Sequence, residues 1–147
     1  MDKTLQPSRE ALVAGYIRYA EALSVGVPPA TPEMSAAESA YDAVERVVRR
    51  GPASEAWMLT QAVLRAAPND RLDVYAAGVL ESLVRGQGTA LVAEIESAAA
   101  GDERFRWALG RIWLTEGDLP PDVMGRIVQA SGGAIQPLPR NKEARER

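Results

Sequence analysis

The sequence predicts an all-α fold in which six or seven helices stack as antiparallel hairpins, forming a short HEAT-like α-solenoid. The hexad VERVVR at residues 44–49 recurs as LESLVR at residues 80–85, 36 positions further along the chain, and a repeat of this length is typical of stacked helical hairpins. Apolar residues recur at helical spacing through most of the sequence, whereas no segment alternates as a β-strand would. The alternative is an irregular helical bundle of six or seven helices without true repetition.

Capping residues place the first three helices. The first is predicted to begin after Ser8 as N-cap and to run to about Leu23. A proline-rich connector, residues 25–32, then breaks the helix because paired prolines cannot continue it. Thr31 caps the second helix, which ends at Arg50 before a Gly-Pro pair. The third helix follows over about residues 52–67.

Glycines and further caps divide the rest of the chain into four helices. The fourth is predicted to begin at Asn69 or Asp70 and to end at the Gly-Gln-Gly sequence of residues 86–88. The fifth covers residues 89–101, with Thr89 as its cap. The sixth starts at Asp102 and buries Phe105, Ala108, Leu109 and Ile112, with Trp113 as a further candidate for burial, and a short seventh helix reaches from residue 120 or 121 to 131.

These helices predict a single domain over residues 1–131. The second to seventh helices form three successive hairpins from about residue 33, and the first helix serves as an N-terminal cap. Residues 132–147 lose helical periodicity and become proline-rich and then charged, which predicts a flexible tail. In the alternative, Ile135 and Leu138 anchor this segment to the domain as a packed arm.

The composition excludes several kinds of chemistry. Histidine and cysteine are both absent from the sequence, which removes the usual general base, the thiol nucleophile and the commonest zinc ligands. The two lysines, Lys3 and Lys142, lie near the ends. We therefore expect no catalytic residue, no cofactor and no metal ligand. A net charge of −3 makes nucleic acid an unlikely partner, and a charged N-terminus without a long apolar run predicts a cytoplasmic protein with no membrane contact.

Five residues are candidates for binding a partner protein. On the sixth helix, Arg104, Trp107 and Arg111 share a stripe, and Trp107 points about 200° away from the buried Phe105 at 100° per residue. A tryptophan between arginines has the composition of an interface hot spot. Arg49 and Arg85, the last residues of the two hexads, are the other candidates.

A purely structural interpretation applies to the charged positions of the hexads. Glu45 with Arg49 and Glu81 with Arg85 have the i, i+4 spacing of helical ion pairs, which on an exposed surface contribute only about 0.3–0.5 kcal/mol each. Glu45 also shares a helix face with Glu38 and Asp42, and the sequence predicts that this face is solvated.

Three segments resemble a family of small bacterial proteins catalogued as a domain of unknown function. They are AAGVLESL at residues 76–83, GTAL at residues 88–91 and DERFRWAL at residues 102–109, the last followed by Trp113. The resemblance covers roughly residues 10–115 and departs at Val79, where the family favours proline, and at Gln87, where it favours histidine. It implies a bacterial helical protein and carries over no functional residue.

The leading hypothesis is a non-enzymatic protein–protein interaction module. An adaptor or an immunity-type inhibitor would bind its partner through a helical face, although neither the partner nor the oligomeric state follows from the sequence. The alternative is a small-molecule or nucleotide-binding domain, possibly enzymatic, with Tyr16, Tyr41 and Arg49 in a pocket between helices.

Overall fold

The computed structural model describes residues 7–140, and this part of the chain is all-α, as the sequence predicts. In chain order the α-helices are α1 (Arg9–Val25), α2 (Pro32–Arg50), α3 (Ala53–Ala66), α4 (Leu72–Tyr75), α5 (Glu81–Gly101), α6 (Glu103–Leu109) and α7 (Pro121–Ala130). A 3₁₀ turn, Asn69–Arg71, precedes α4, and a π-helical turn, Ala76–Leu80, joins α4 to α5. No helix among the described residues is long and apolar enough to cross a membrane.

Local capping explains where α1, α2 and α6 begin. The Ser8 hydroxyl oxygen accepts a hydrogen bond from the Ala11 amide, and the Thr31 hydroxyl oxygen accepts one from the Met34 amide, each at 3.1 Å. The Asp102 carboxylate accepts hydrogen bonds from the amides of Arg104 and Phe105. These side chains satisfy amide groups that have no partner within the first turn of a helix, and the three predicted starts are confirmed.

The predicted break at residues 86–88 is a kink, at which two helical segments meet within α5. These residues lie inside α5, where Gln87 alone has a non-helical backbone, with φ −137° and ψ 16°. A Cβ atom added to Gly86 would lie 2.6 Å from the Arg49 carbonyl oxygen, so this glycine permits a close approach between α5 and the end of α2. Thr89 lies just after this kink, in the second helical segment of α5.

The Gln87 side chain explains why the chain bends at this point. Its amide Nε2 donates hydrogen bonds to the carbonyl oxygens of Val48 and Gly51, at 3.1 and 3.0 Å. Carbonyl groups in the last turn of a helix lack partners within that helix, and Gln87 supplies one from α5. The bend in α5 thus serves the C-terminal end of α2.

The chain leaves the helical conformation after α6 earlier than predicted. α6 ends at Leu109, and residues 110–120 form turns and extended backbone before α7. Ile112 is buried as predicted, but Trp113 is 61% exposed, which corrects its candidacy for burial. Because Trp113 lies outside the helix, helical periodicity does not determine the direction of its side chain.

Part of the C-terminal segment packs on the domain. Ile135 is buried, and an isolated parallel bridge joins Leu138 to Thr115. The Leu138 amide donates to the Leu114 carbonyl, and the Glu116 amide donates to the Leu138 carbonyl, both at 2.8 Å. Residues 132–140 therefore have the contacts of the packed-arm alternative, while residues 141–147 of the predicted flexible tail lie outside the described residues, as do Lys3 and Lys142.

One hydrophobic core joins the helices. α2 packs against α1, α3 and α5, and α5 in turn packs against α6 and α7. A Cβ atom added to Gly15 would lie 2.5 Å from the Ala40 Cβ atom, so a glycine is required where α1 crosses α2. The predicted stacking of hairpins into a solenoid stays a prediction.

Candidate functional site

The first hexad lies on α2, and the second begins at the last residue of the π-helical turn and continues in α5, which packs against α2. The C-terminal ends of the two hexads border a shallow cleft of about 380 Å³, which is lined by Arg49, Arg50, Glu81, Ser82, Arg85 and Gly86. Both predicted ion pairs form, Glu45 with Arg49 at 3.2 Å and Glu81 with Arg85 at 3.3 Å. The repeat thus brings the two candidate arginines to one cleft, each already beside a carboxylate.

Glu45 is buried, with 9% of its surface exposed, which corrects the prediction of a solvated face at this position, whereas Glu38 and Asp42 are exposed as predicted. One carboxylate oxygen accepts a hydrogen bond from the Tyr16 hydroxyl at 3.0 Å, and the other accepts from the Ser82 hydroxyl at 2.8 Å and from Arg49. Burial, and then the adjacent Glu45 carboxylate, raise the pKa of the Tyr16 hydroxyl, which stays protonated as a donor. Three helices therefore meet at one satisfied carboxylate.

The tyrosines of the pocket hypothesis fill space with their own rings. The rings of Tyr16 and Tyr41 stack with their centroids 4.5 Å apart, and Tyr75 lies 6.3 Å from Tyr16 on another side. Only 1% of the Tyr16 surface is exposed. The Tyr16 ring therefore packs in the core, and its hydroxyl donates the hydrogen bond to Glu45.

Arg85 and Glu81 hold the backbone of Trp113 from both sides. The Trp113 amide donates a hydrogen bond to the Glu81 carboxylate at 2.8 Å, and the Arg85 guanidinium donates one to the Trp113 carbonyl oxygen at 2.9 Å. Arg85 also lies 3.4 Å from the Asp118 carboxylate. The second hexad thus fixes the backbone position of an exposed tryptophan that sequence analysis did not select.

Trp107 is exposed, as the interface hypothesis requires. Its exposed fraction is 45%, and the guanidinium carbon of Arg111 lies 4.3 Å from the centre of its ring. This geometry is that of a cation–π contact. Because Arg111 holds one face of the indole, Trp107 has less conformational freedom to lose when a partner binds.

Arg104, by contrast, is bound within the protein. Its guanidinium donates hydrogen bonds to the carbonyl oxygens of Leu64 and Ala67, at 2.6 and 2.8 Å, and to the Asn69 side chain at 2.8 Å. The two carbonyl groups belong to the C-terminal end of α3, where helical partners are lacking. The predicted stripe therefore divides into a structural residue, Arg104, and two residues that remain at the surface.

Trp113 lines a groove of about 740 Å³. Val74, Arg111, Trp113 and Leu138 are among its lining residues, and Arg111 also lines the neighbouring surface depression that contains Trp107. All four apolar side chains of this group are at least 42% exposed. We call Val74, Trp107, Arg111, Trp113 and Leu138 the tryptophan surface.

Metal binding has no support in the described range. Over residues 7–140 the structure contains no group of three or more carboxylate, histidine or cysteine side chains that could hold a metal ion. The Glu96 carboxylate instead accepts two hydrogen bonds from the Arg126 guanidinium, at 2.9 and 2.6 Å. These bonds connect α5 to α7. Hydrogen bonding from Arg126 lowers the pKa of the Glu96 carboxyl.

A family model described as a family of unknown function, DUF6869, matches residues 30–135 of the chain. The chain belongs to this family. The match includes the cleft of the hexads and all of the tryptophan surface except Leu138, whereas α1 lies before it. No curated protein and no solved structure matches the chain, so the family membership brings no assigned activity to these residues.

Proposed function

We propose that the protein is a non-enzymatic protein-binding module, acting as an adaptor or an immunity-type inhibitor, and that it binds its partner through the tryptophan surface. The observation that carries the proposal is that Trp113 has an exposed side chain on a backbone held by hydrogen bonds. Its side chain is 61% exposed, although Glu81 and Arg85 hydrogen-bond its backbone on both sides. Burying a tryptophan in a partner's pocket gives a large apolar contact, and a fixed backbone lowers the entropy lost on binding.

The composition of the surface agrees with this proposal. Tryptophan and arginine are the residues most enriched at the hot spots of protein interfaces, and here Arg111 lies at the boundary of two depressions that contain Trp107 and Trp113. Val74 and Leu138 extend the apolar area beside Trp113. Charged and polar residues also line both depressions, so a partner would meet polar groups beside the apolar ones.

The proposal includes a cytoplasmic location and a protein as the partner. It predicts that the tagged chain, purified from its native host, retains one partner in stoichiometric amount. The dissociation constant of that partner is then measured with purified components by calorimetry. Trp113→Ala and Trp107→Ala should each weaken binding about 30-fold or more, since hot-spot truncations cost at least about 2 kcal/mol.

Val27→Ala is the matched control because Val27 is 96% exposed and lies in the connector between α1 and α2. This variant should bind as the wild type does. A partner that binds both tryptophan variants with unchanged affinity would contradict the proposed surface. Isolation of no partner, together with a ligand-dependent rise in Tm in a small-molecule screen, would contradict the protein-binding function itself and favour the small-molecule alternative.

A further inference from the structure

A second surface, distant in sequence from the tryptophan surface, combines an apolar floor with a basic rim. α1 and α3 enclose a groove of about 730 Å³. The floor consists of Val13, Ala14, Ile17, Ala62 and Ala66. Short side chains here leave room for another backbone to approach closely, as helices do when they pack at separations of about 8–10 Å. We call this feature the α1–α3 groove.

The charged residues of the rim are predominantly arginines. Arg9, Arg18 and Arg65 line the groove, and Glu10 is the acidic residue among its lining. Arg9 lies 3.7 Å from Glu55, whereas Arg18 and Arg65 form no ion pair with any residue of the range 7–140. Both have exposed side chains. A chain with a net charge of −3 thus presents a positively charged rim around an apolar surface.

We propose that the α1–α3 groove binds an amphipathic helix of a partner protein, one that carries an apolar stripe flanked by acidic residues. The apolar stripe would cover the floor, and glutamate or aspartate side chains would pair with Arg18 and Arg65. This is the helix-in-groove mode of recognition. The lining of α1 extends from Arg9 to Arg18, about 13 Å at 1.5 Å per residue, which matches between two and three turns of a bound helix.

Charge favours a different protein over a second copy of this chain. In a symmetric dimer the same surface lies on both sides of the interface, so a rim with three arginines and one glutamate would meet an identical, net positive rim. Like charges opposed across an interface disfavour that pairing. The groove also depends on α1, which lies before the family match at residues 30–135. The inference does not rest on the function proposed for the tryptophan surface.

Two synthetic peptides test the proposal on the full-length chain. Both carry leucines at i, i+3, i+4 and i+7, one with glutamates on its flanks and the other with lysines at the same positions. In a titration followed by ¹⁵N-resolved NMR, the glutamate peptide should shift the amide resonances of Ala14, Ala62 and Ala66. Its affinity should exceed that of the lysine peptide by at least about tenfold and should fall with added salt.

Paired charge reversals locate the binding site. The double variant Arg18→Glu and Arg65→Glu should bind the glutamate peptide at least about tenfold more weakly than the wild type does. It should bind the lysine peptide more tightly. The double variant Arg46→Glu and Arg50→Glu, an equal change of charge at exposed arginines of α2, should bind both peptides nearly as the wild type does. Trp113→Ala should also leave peptide binding unchanged, so failure here is distinguishable from failure of the proposed function.

Several outcomes would overturn the proposal. Equal affinity for the two peptides would show that charge is not the basis of recognition. Equal losses of affinity for the glutamate peptide in the two double variants would show that only the net charge of the chain matters. Resonance shifts confined to residues outside α1 and α3 would place the peptide elsewhere. Tighter binding of phosphatidylserine vesicles or single-stranded RNA than of the glutamate peptide, with loss of that binding in the Arg18 and Arg65 variant, would assign the groove to another class of partner.

Discussion

Replacing Arg104 by methionine removes three hydrogen bonds that join α6 to the end of α3. Methionine replaces the aliphatic part of the side chain, so the main change is the loss of donors to the carbonyl oxygens of Leu64 and Ala67 and to the Asn69 side chain. From the sequence alone, Arg104 is a candidate for binding a partner protein. The structure instead predicts that its removal destabilises the fold.

The expected magnitude follows from the three contacts. Hydrogen bonds to a charged group contribute about 1.5–3 kcal/mol each. Arg104 is only half-buried, and water can replace part of the lost interaction, so the total should be about 2–3 kcal/mol and not the simple sum. For a chain of this size that corresponds to a fall in Tm of roughly 6–12 °C. Arg104→Lys should recover only a part, because one ammonium group cannot reach three acceptors in a fork.

Urea denaturation followed by circular dichroism measures this free energy of unfolding. Arg111→Met is the matched control, because Arg111 is exposed and its recorded contact is the one with the Trp107 ring. We expect it to cost less than about 1 kcal/mol. The reasoning is refuted if Arg104→Met unfolds within about 0.5 kcal/mol of the wild type but loses the partner that Trp107→Ala also loses, since Arg104 would then act at the interface.

Three further changes test other polar contacts between helices. Gln87→Met removes the donors to the last turn of α2 and should lower the free energy of unfolding in urea by about 1–2 kcal/mol, whereas an unchanged value would contradict the capping role. Tyr16→Phe leaves one Glu45 oxygen without its donor and should cost about 1–3 kcal/mol; a neutral result in the same titration would show that water reaches Glu45. The hydrogen bond from Tyr75, and then Arg71, hold the pKa of the Glu21 carboxyl below its ordinary value of 4.5, so its stabilising contribution is complete above pH 4.5 and is lost as pH falls through the lowered pKa. The difference in Tm between wild type and Glu21→Gln should therefore shrink below pH 4.5, and a constant difference would contradict the assignment.

The beginnings of helices could be predicted because their causes are local. Ser8, Thr31 and Asp102 each satisfy an amide two or three residues further along the same segment, and the sequence alone contains both partners of those bonds. The burial of Phe105, Ala108 and Leu109 on α6 was equally predictable from helical spacing. Both are properties of single helices, and both survive in the folded chain.

The break predicted at residues 86–88 is a kink within α5, and part of its cause lies on another helix. Two glycines around a polar residue usually end a helix, but Gly86 is needed for contact with the Arg49 backbone, and Gln87 donates to the end of α2. Nothing near Gln87 in the sequence indicates that the acceptors lie some 36–39 residues away. Only the packing of α2 on α5 supplies that information.

The two hexads show how the same local pair acquires different roles. In each copy a glutamate and an arginine one turn apart form the predicted ion pair. Around Glu45, the neighbouring helices contribute Tyr16 and Ser82, so the carboxylate becomes a buried junction. Around Glu81, the neighbour is the extended chain after α6, so the pair holds the Trp113 backbone instead. A repeat in sequence therefore supports inference about helix packing but not about function. What the second copy does depends on a tryptophan that has no counterpart beside the first.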